Sequence, residues 1–335
     1  MKLTAVGLRY WACAALVATG FTAPVFADPL YARNFAPVSG LFGVPALRNA
    51  QTLDAGEYSG GLHGNVANNY SVDIEGPESV NFDGETQRVA LRAAVGLGSG
   101  WEVEAELPWM RHEGGELDKT IENWHDFWGL PDGNRDEAPR DQIDFSYAGP
   151  GADFYMRDEV SGWGDLQLAL VREIWQSDSA AISARAGVNF GTGDEDDMLG
   201  SGSEDYFLSV SFSGEQQSEL PITWCGQLGY LRAGDADILG DIQEQDLWFA
   251  GLGLEWRAWQ QVHLKMQVDS HAAPADSRLE QMGDPAVQLT VGMSWLFAPQ
   301  WEAEFSFSED IAVDTAPDFV LQFGLRYRGG ELMAR

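Results

Sequence analysis

Residues 101–109 read Trp101-Glu102-Val103-Glu104-Ala105-Glu106-Leu107-Pro108-Trp109. A strand sends alternate side chains to opposite faces. Here Trp101, Val103, Ala105, Leu107 and Trp109 fall on one face, and Glu102, Glu104 and Glu106 on the other. A transmembrane β-barrel carries this pattern with the apolar face toward lipid and the polar face toward a lumen. A soluble sandwich inverts it, with the apolar face inward. The rest of the chain decides between the two.

The same rhythm recurs through about 57–70, 88–97, 166–170, 182–190, 206–212, 222–230, 248–256, 262–269, 287–295, 301–307 and 319–328, giving twelve candidate strands with 101–109. Connections at 98–100, 257–261 and 297–300 are short, while 71–84, 112–162, 191–204, 232–244, 272–284 and 309–317 are longer and acidic. Outer-membrane barrels alternate short periplasmic turns with long extracellular loops, and an even strand number returns both termini to one side. The outward aromatics form two rows. Trp101/Trp109, Trp248/Trp256 and Phe319/Tyr327 are each eight residues apart. At ~3.3 Å per residue and a ~40° tilt, that spacing spans about 20 Å, close to the apolar band of such a barrel. A sandwich gives no reason for two aromatic rows at this spacing. The expected fold class is therefore all-β, a transmembrane antiparallel β-barrel of about twelve strands over residues 55–329.

The ends set the compartment. Lys2 and Arg9 precede an apolar run, and Val25-Phe26-Ala27 offers a cleavage site before Asp28. Residues 1–27 read as a cleaved secretory signal peptide, and the apolar run is too short to span a bilayer. Residues 28–54 read as an irregular segment, periplasmic or plug-like, and 330–335 as a C-terminal tail. Beyond the signal only Cys225 remains, so no internal disulfide forms. The mature chain carries 18 Lys and Arg against 52 Asp and Glu, a formal charge of −34. Nucleic acid is a poor partner for such a surface and cations are natural ones; a purely solubilising acidic surface is the alternative. The expected location is the Gram-negative outer membrane, among its lipid and lipopolysaccharide.

The inward faces carry both signs of charge: Arg88, Arg92, Glu102, Glu104, Glu106, Arg185, His263, Lys265, Asp269, Glu302, Glu304 and Arg326. A symmetric hairpin at 98–100 sets Arg92 opposite Glu106. Pairing of the last two strands about residue 315 would set Glu304 opposite Arg326 and Glu302 opposite Arg328. Opposite charges on neighbouring strands stabilise a sheet face. They serve either as structural pairs filling a narrow lumen or as a lining that selects a solute.

Two loops stand out. In 112–162, with 13 acidic and 4 basic residues, Leu117, Ile121, Trp124 and Trp128 follow a helical stripe ended by Gly129 and Pro131. Asp118, Glu122 and His125 line a neighbouring face of this short helix, as cation ligands, proton-transfer groups or simply a solvated face. The second loop gathers Asp194, Glu195, Asp196 and Asp197 among glycines, candidate ligands for Ca2+ or Mg2+, although the spacing is not that of an EF-hand. No Gly-x-Ser-x-Gly, His-Glu-x-x-His or phosphate loop occurs. No catalytic residue and no other cofactor is assigned.

Pro29-Leu30, Arg33-Asn34-Phe35-Ala36-Pro37 and Leu41-Phe42-Gly43-Val44-Pro45 form one recognisable motif. Gly114 to Asp118, Ile121-Glu122, Trp124-His125 and Gly129-Leu130-Pro131 to Arg135 form another. Both resemble an uncharacterised family, a domain of unknown function, of predicted Gram-negative outer-membrane proteins. The resemblance implies the compartment and the barrel and brings no activity with it. The leading expectation is a porin-like or substrate-specific channel with an acidic, cation-attracting mouth that passes a small cationic or polar solute. An outer-membrane enzyme acting on lipid or lipopolysaccharide and a structural or surface-interaction barrel are the alternatives.

Overall fold

The computed structural model describes residues 27–115, 141–216, 221–311 and 315–330. Fifteen strands form one sheet. In chain order they are β1 (Tyr58–Glu75), β2 (Glu78–Gly98), β3 (Trp101–Glu113), β4 (Asp144–Gly149), β5 (Ala152–Met156), β6 (Val160–Trp163), β7 (Leu166–Gln176) and β8 (Ala180–Phe190). Then follow β9 (Asp205–Glu215), β10 (Ile222–Arg232), β11 (Asp246–Trp256), β12 (Val262–His271), β13 (Ala286–Ala298), β14 (Trp301–Asp310) and β15 (Phe319–Gly329). β1 to β3 and β7 to β15 pair antiparallel in succession, and β1 pairs with β15, closing a barrel of twelve strands. Closure leaves no free edge in the wall. The twelve strands and their order are those the alternation predicts.

The facing follows the pleat. Leu91, Leu252 and Phe323 point outward at 50%, 62% and 56% exposure. Their inward neighbours Ala90, Gly251 and Gln322 do not reach that surface. Trp101, Trp224, Trp256, Trp295 and Trp301 are exposed at the short-turn end, and Tyr206 and Trp248 at the long-loop end. Trp301 packs on Tyr327 at 4.9 Å, and Tyr327 on Tyr58 at 5.9 Å, joining three strands across the closure.

Two kinds of sequence expectation are corrected, the extent of two loops and a register. Residues 71–84 are not a loop. The β1–β2 ladder continues from Tyr70↔Asp83 to Glu75↔Glu78, and the turn is only Gly76-Pro77, with Gly76 at φ +61. A residue without Cβ takes that conformation without steric cost. The extension holds because β4 adds to β2 at Ser79–Asp83 and β5 adds to β4. Val80 and Phe82 are thereby buried against Phe145 and Tyr147. The region 112–162, expected as one long loop with a helix, contributes β4, β5 and β6 in its described part, with β6 pairing to the far end of β3. The helix expected at 116–129 lies outside the described residues.

The second correction is a register. β14 and β15 pair with Glu302 opposite Arg326 and Glu304 opposite Gly324, two residues away from the expected match. A two-residue shift preserves facing, so the hydrophobic pattern cannot discriminate between the registers. The sequence of 309–317 carries no two-residue turn signal that would fix it.

Candidate functional site

The lumen is occupied. Residues 28–54 run up one side of the barrel interior and back down the other. Near the short-turn end the Asp28 carboxylate accepts hydrogen bonds from Arg326 and Arg328. Midway, Tyr31 donates its N–H to Glu304 at 3.0 Å and its hydroxyl to Glu106 at 2.7 Å. At the long-loop end the Asn34 amide reaches His271 and the Thr315 carbonyl, both at 2.9 Å. A helical turn at Ser39–Leu41 reverses the chain. On the return, the Gly43 N–H donates to Asp205 at 2.9 Å, Ala50 N–H to Ser213 at 2.8 Å and Leu53 N–H to Glu102 at 2.7 Å.

The segment's composition explains its form. Pro29, Pro37 and Pro45 each remove a donor and fix φ, which suits an extended chain outside any ladder. Buried N–H groups still need partners, and the polar wall supplies them. The exit is tight. A Cβ at Gly96 of β2 would stand 2.1 Å from the Asp54 carbonyl, so only glycine lets the segment leave along the wall there.

All twelve inward residues named from the sequence lie on strands that face this interior, and the segment sorts them into groups. Glu106 accepts from Arg33 and Arg88 at 2.6 Å and from Arg92 at 3.2 Å. Arg48 and Arg185 meet Glu104 at 2.9 and 2.7 Å, and Arg48 lies 3.4 Å from Glu102. Lys265 sits between Glu302 and Glu304 at 3.2 and 3.3 Å, and Arg326 reaches the same two carboxylates at 3.7 and 3.4 Å. His263 meets Glu255 at 3.1 Å. Asp269 stands apart and accepts from Gln267 at 2.7 Å. Arg92 does oppose Glu106 in the ladder, yet the carboxylate is shared among three guanidinium groups. Buried charges persist when paired and hydrogen-bonded, and Arg33 and Arg48 of the segment complete that pairing.

Five residues that the alternation does not single out organise the interior: Asp28, Tyr31, Arg33, Arg48 and Glu255. The available signal was charge. Arg33 and Arg48 are the two basic residues of 28–54 in a chain with few, and each faces an acidic row on β3.

The two ends of the barrel differ. At the long-loop end, Val38, Leu41 and Phe42 of the segment's tip join Phe82, Phe145, Leu239, Leu247 and Met282 in one apolar core. At the short-turn end a cavity of about 1260 Å³ opens, lined by Arg92, Glu102, Glu104, His263, Arg326 and Arg328 among others. A further cavity of about 40 Å³ lies between Leu47 of the segment and Asp269 and Gln288 of the wall.

Carboxylates in and beside the acidic loop 191–204 accept from backbone N–H groups. Asp194 accepts from the Asp196 N–H at 3.1 Å, and Glu195 from the Ile238 N–H at 2.8 Å. Asp165 accepts from the Gly193 and Ser201 N–H groups at 2.8 and 3.2 Å. Burial raises the Asp165 carboxyl above its ordinary value despite those bonds, and burial likewise raises Glu195. Among the described residues no group of three or more His, Cys, Asp or Glu side chains is arranged to hold a metal, so Asp194 to Asp197 do not converge. Asp118, Glu122 and His125 lie outside the described residues.

Comparison with solved structures matches the crystal structure of the COG4313 outer membrane channel from Pseudomonas putida F1. The match has a TM-score of 0.54 and 13% identity over 84% of this chain and 98% of that one. At that identity it carries the fold alone. The NanC porin (TM-score 0.45, 8% identity, 82% and 100% covered) and the Ralstonia pickettii toluene transporter TbuX (0.40, 12%, 89% and 98%) are more distant, and no argument rests on them. A comparison with curated protein sequences finds no match. The protein-family model described as a protein of unknown function, DUF3187, matches residues 11–328. A closed twelve-stranded outer-membrane-type barrel and a family match over nearly the whole sequence agree, and the chain belongs to the DUF3187 family.

Proposed function

We propose that this protein is an outer-membrane channel whose lumen is held closed by its own N-terminal segment. The observation that carries the reading is the interior itself. Toward the short-turn end its wall is charged and polar, and it is filled not by wall side chains alone but by a strand-like segment bound through ion pairs and hydrogen bonds. A barrel that served only as an anchor has no need of a removable filling. With 28–54 in place, the extracellular end is sealed by apolar packing and a vestibule of about 1260 Å³ faces the periplasm. This orientation rests on export by a cleaved signal peptide, which leaves both barrel termini at the short-turn, periplasmic end.

Solute selection follows from charge. The mature chain carries −34, and the loop 191–205 holds six acids and no base. Such a mouth concentrates cations and repels anions, over ~10 Å at 0.1 M salt. The proposed solute is a small cationic or polar molecule, and lipid and lipopolysaccharide surround the barrel. Reversal potentials across planar bilayers under a KCl gradient test this. A cation preference that weakens at high salt is expected, and anion preference at low salt would refute the electrostatic part.

A further inference from the structure

We propose that the α-ammonium group released when export cuts the chain before Asp28 is itself a ligand of the barrel wall, bound by Glu255. The proposal rests on the cut before Asp28. It does not depend on whether the lumen conducts.

Glu255, on β11, is only 2% exposed. Its Oε2 lies 3.1 Å from the backbone nitrogen of Asp28, while its Oε1 accepts from His263 at 3.1 Å and from Arg257 at 3.3 Å. Lys265 stands opposite it in the ladder, aimed at Glu302 and Glu304. One oxygen of Glu255 thus faces the nitrogen of residue 28. The carboxylate of the same residue points the other way, to Arg326 and Arg328 on β15. Residue 28 therefore bridges β11 and β15 across the barrel interior, nitrogen to one strand and carboxylate to the other.

In an uncut chain that nitrogen is an amide with one N–H and no charge. Hydrolysis by a signal peptidase adds water across the Ala27–Asp28 bond. Ala27 leaves with a carboxylate, and Asp28 keeps the nitrogen as an amine, which takes up a proton. The nitrogen facing Glu255 then has three donors and a full charge. In the uncut chain the bond is already charge-assisted on its acceptor side, because Glu255 is a carboxylate. The cut adds a positive charge and two further donors on the nitrogen, and so converts a charge-assisted hydrogen bond into an ion pair at the point where the luminal segment begins. Closing of the segment is coupled to processing: the same event that frees the barrel from its signal completes the anchor.

The test compares two refolded mature chains, one beginning at Asp28 and one with a single added glycine ahead of it. The glycine moves the ammonium away and returns the Asp28 nitrogen to an amide. Amide exchange over 29–54 is read by mass spectrometry, with the barrel strands as internal reference. The glycine-extended chain is expected to exchange about tenfold faster over 29–54, the factor that ~1.4 kcal/mol represents. Glu255→Gln should speed exchange in the Asp28-initiated chain and add little in the extended one. Should Glu255→Gln fail to fold, the comparison of termini decides alone. Equal exchange for the two termini would overturn the proposal, as would an intact mass of outer-membrane-purified protein that starts at a residue other than Asp28.

Discussion

Glu106 shows how a single residue ties the segment to the wall. Three guanidinium groups, from Arg33, Arg88 and Arg92, lie within 3.2 Å of it at 6% exposure. Glu106→Ala leaves all three without their shared anion, and removing one partner of a buried charge cluster typically costs about 3–5 kcal/mol. Urea titrations of the refolded barrel should show a loss of that size. A reversed pair, Arg92→Glu with Glu106→Arg, should recover little, because the new arginine faces Arg33 and Arg88; substantial recovery would mean that Glu106 serves Arg92 alone. On the outer face the rule changes. Leu252 meets lipid at 62% exposure, and Leu252→Arg should cost about 2–4 kcal/mol near the bilayer midplane. A cost below that range in the same titration would place Leu252 away from the midplane.

At the scale of elements, the twelve wall strands are legible in the sequence and the rest, β4 to β6 included, is not, for one physical reason. A strand half in lipid repeats with period two, so 101–109 or 248–256 can be read residue by residue. The 71–84 stretch also alternates, as Val72, Ile74, Val80 and Phe82 show, but its acids look like a loop until β4 is seen to cover it. The segment 28–54 has no period because it belongs to no ladder, and its partners are up to 300 residues away in sequence. The β14–β15 register escaped because both registers bury the same faces. Elements that cap the barrel yield their own predictions. Phe82→Ala should cost roughly 3–5 kcal/mol of local stability, seen as faster amide exchange in β4 and β5 with the wall strands unchanged; loss of the whole barrel would show that the cap is not separable. The Asp165 carboxyl is raised by burial in the folded loop. The folded loop therefore binds its proton more tightly than the unfolded one does. Its stability is fullest below the unfolded carboxyl's pKa and falls as pH rises through the raised value. Exchange of 191–204, corrected for intrinsic chemistry, should quicken as pH rises from the ordinary carboxylate pKa through the raised one, and Asp165→Asn should flatten that dependence. A flat profile in the native chain would contradict it.

For the whole molecule, two interiors share one barrel. The short-turn half is a charged vestibule, and the long-loop half is an apolar core built around the segment's tip. Wall closure depends on strand pairing, in which residues 28–54 take no part. The wall is therefore expected to persist when the segment is loosened, while the lumen opens. The most direct measurement is single-channel conductance of the intact mature chain beside a chain lacking residues 28–54, each first shown to be folded by faster gel migration unheated than boiled. Small or rare openings are expected in the intact chain, and large, steady, cation-preferring conductance without the segment. A folded barrel that stays electrically silent after its removal, or one that conducts equally with it in place, would contradict the claim that the N-terminal segment closes a channel.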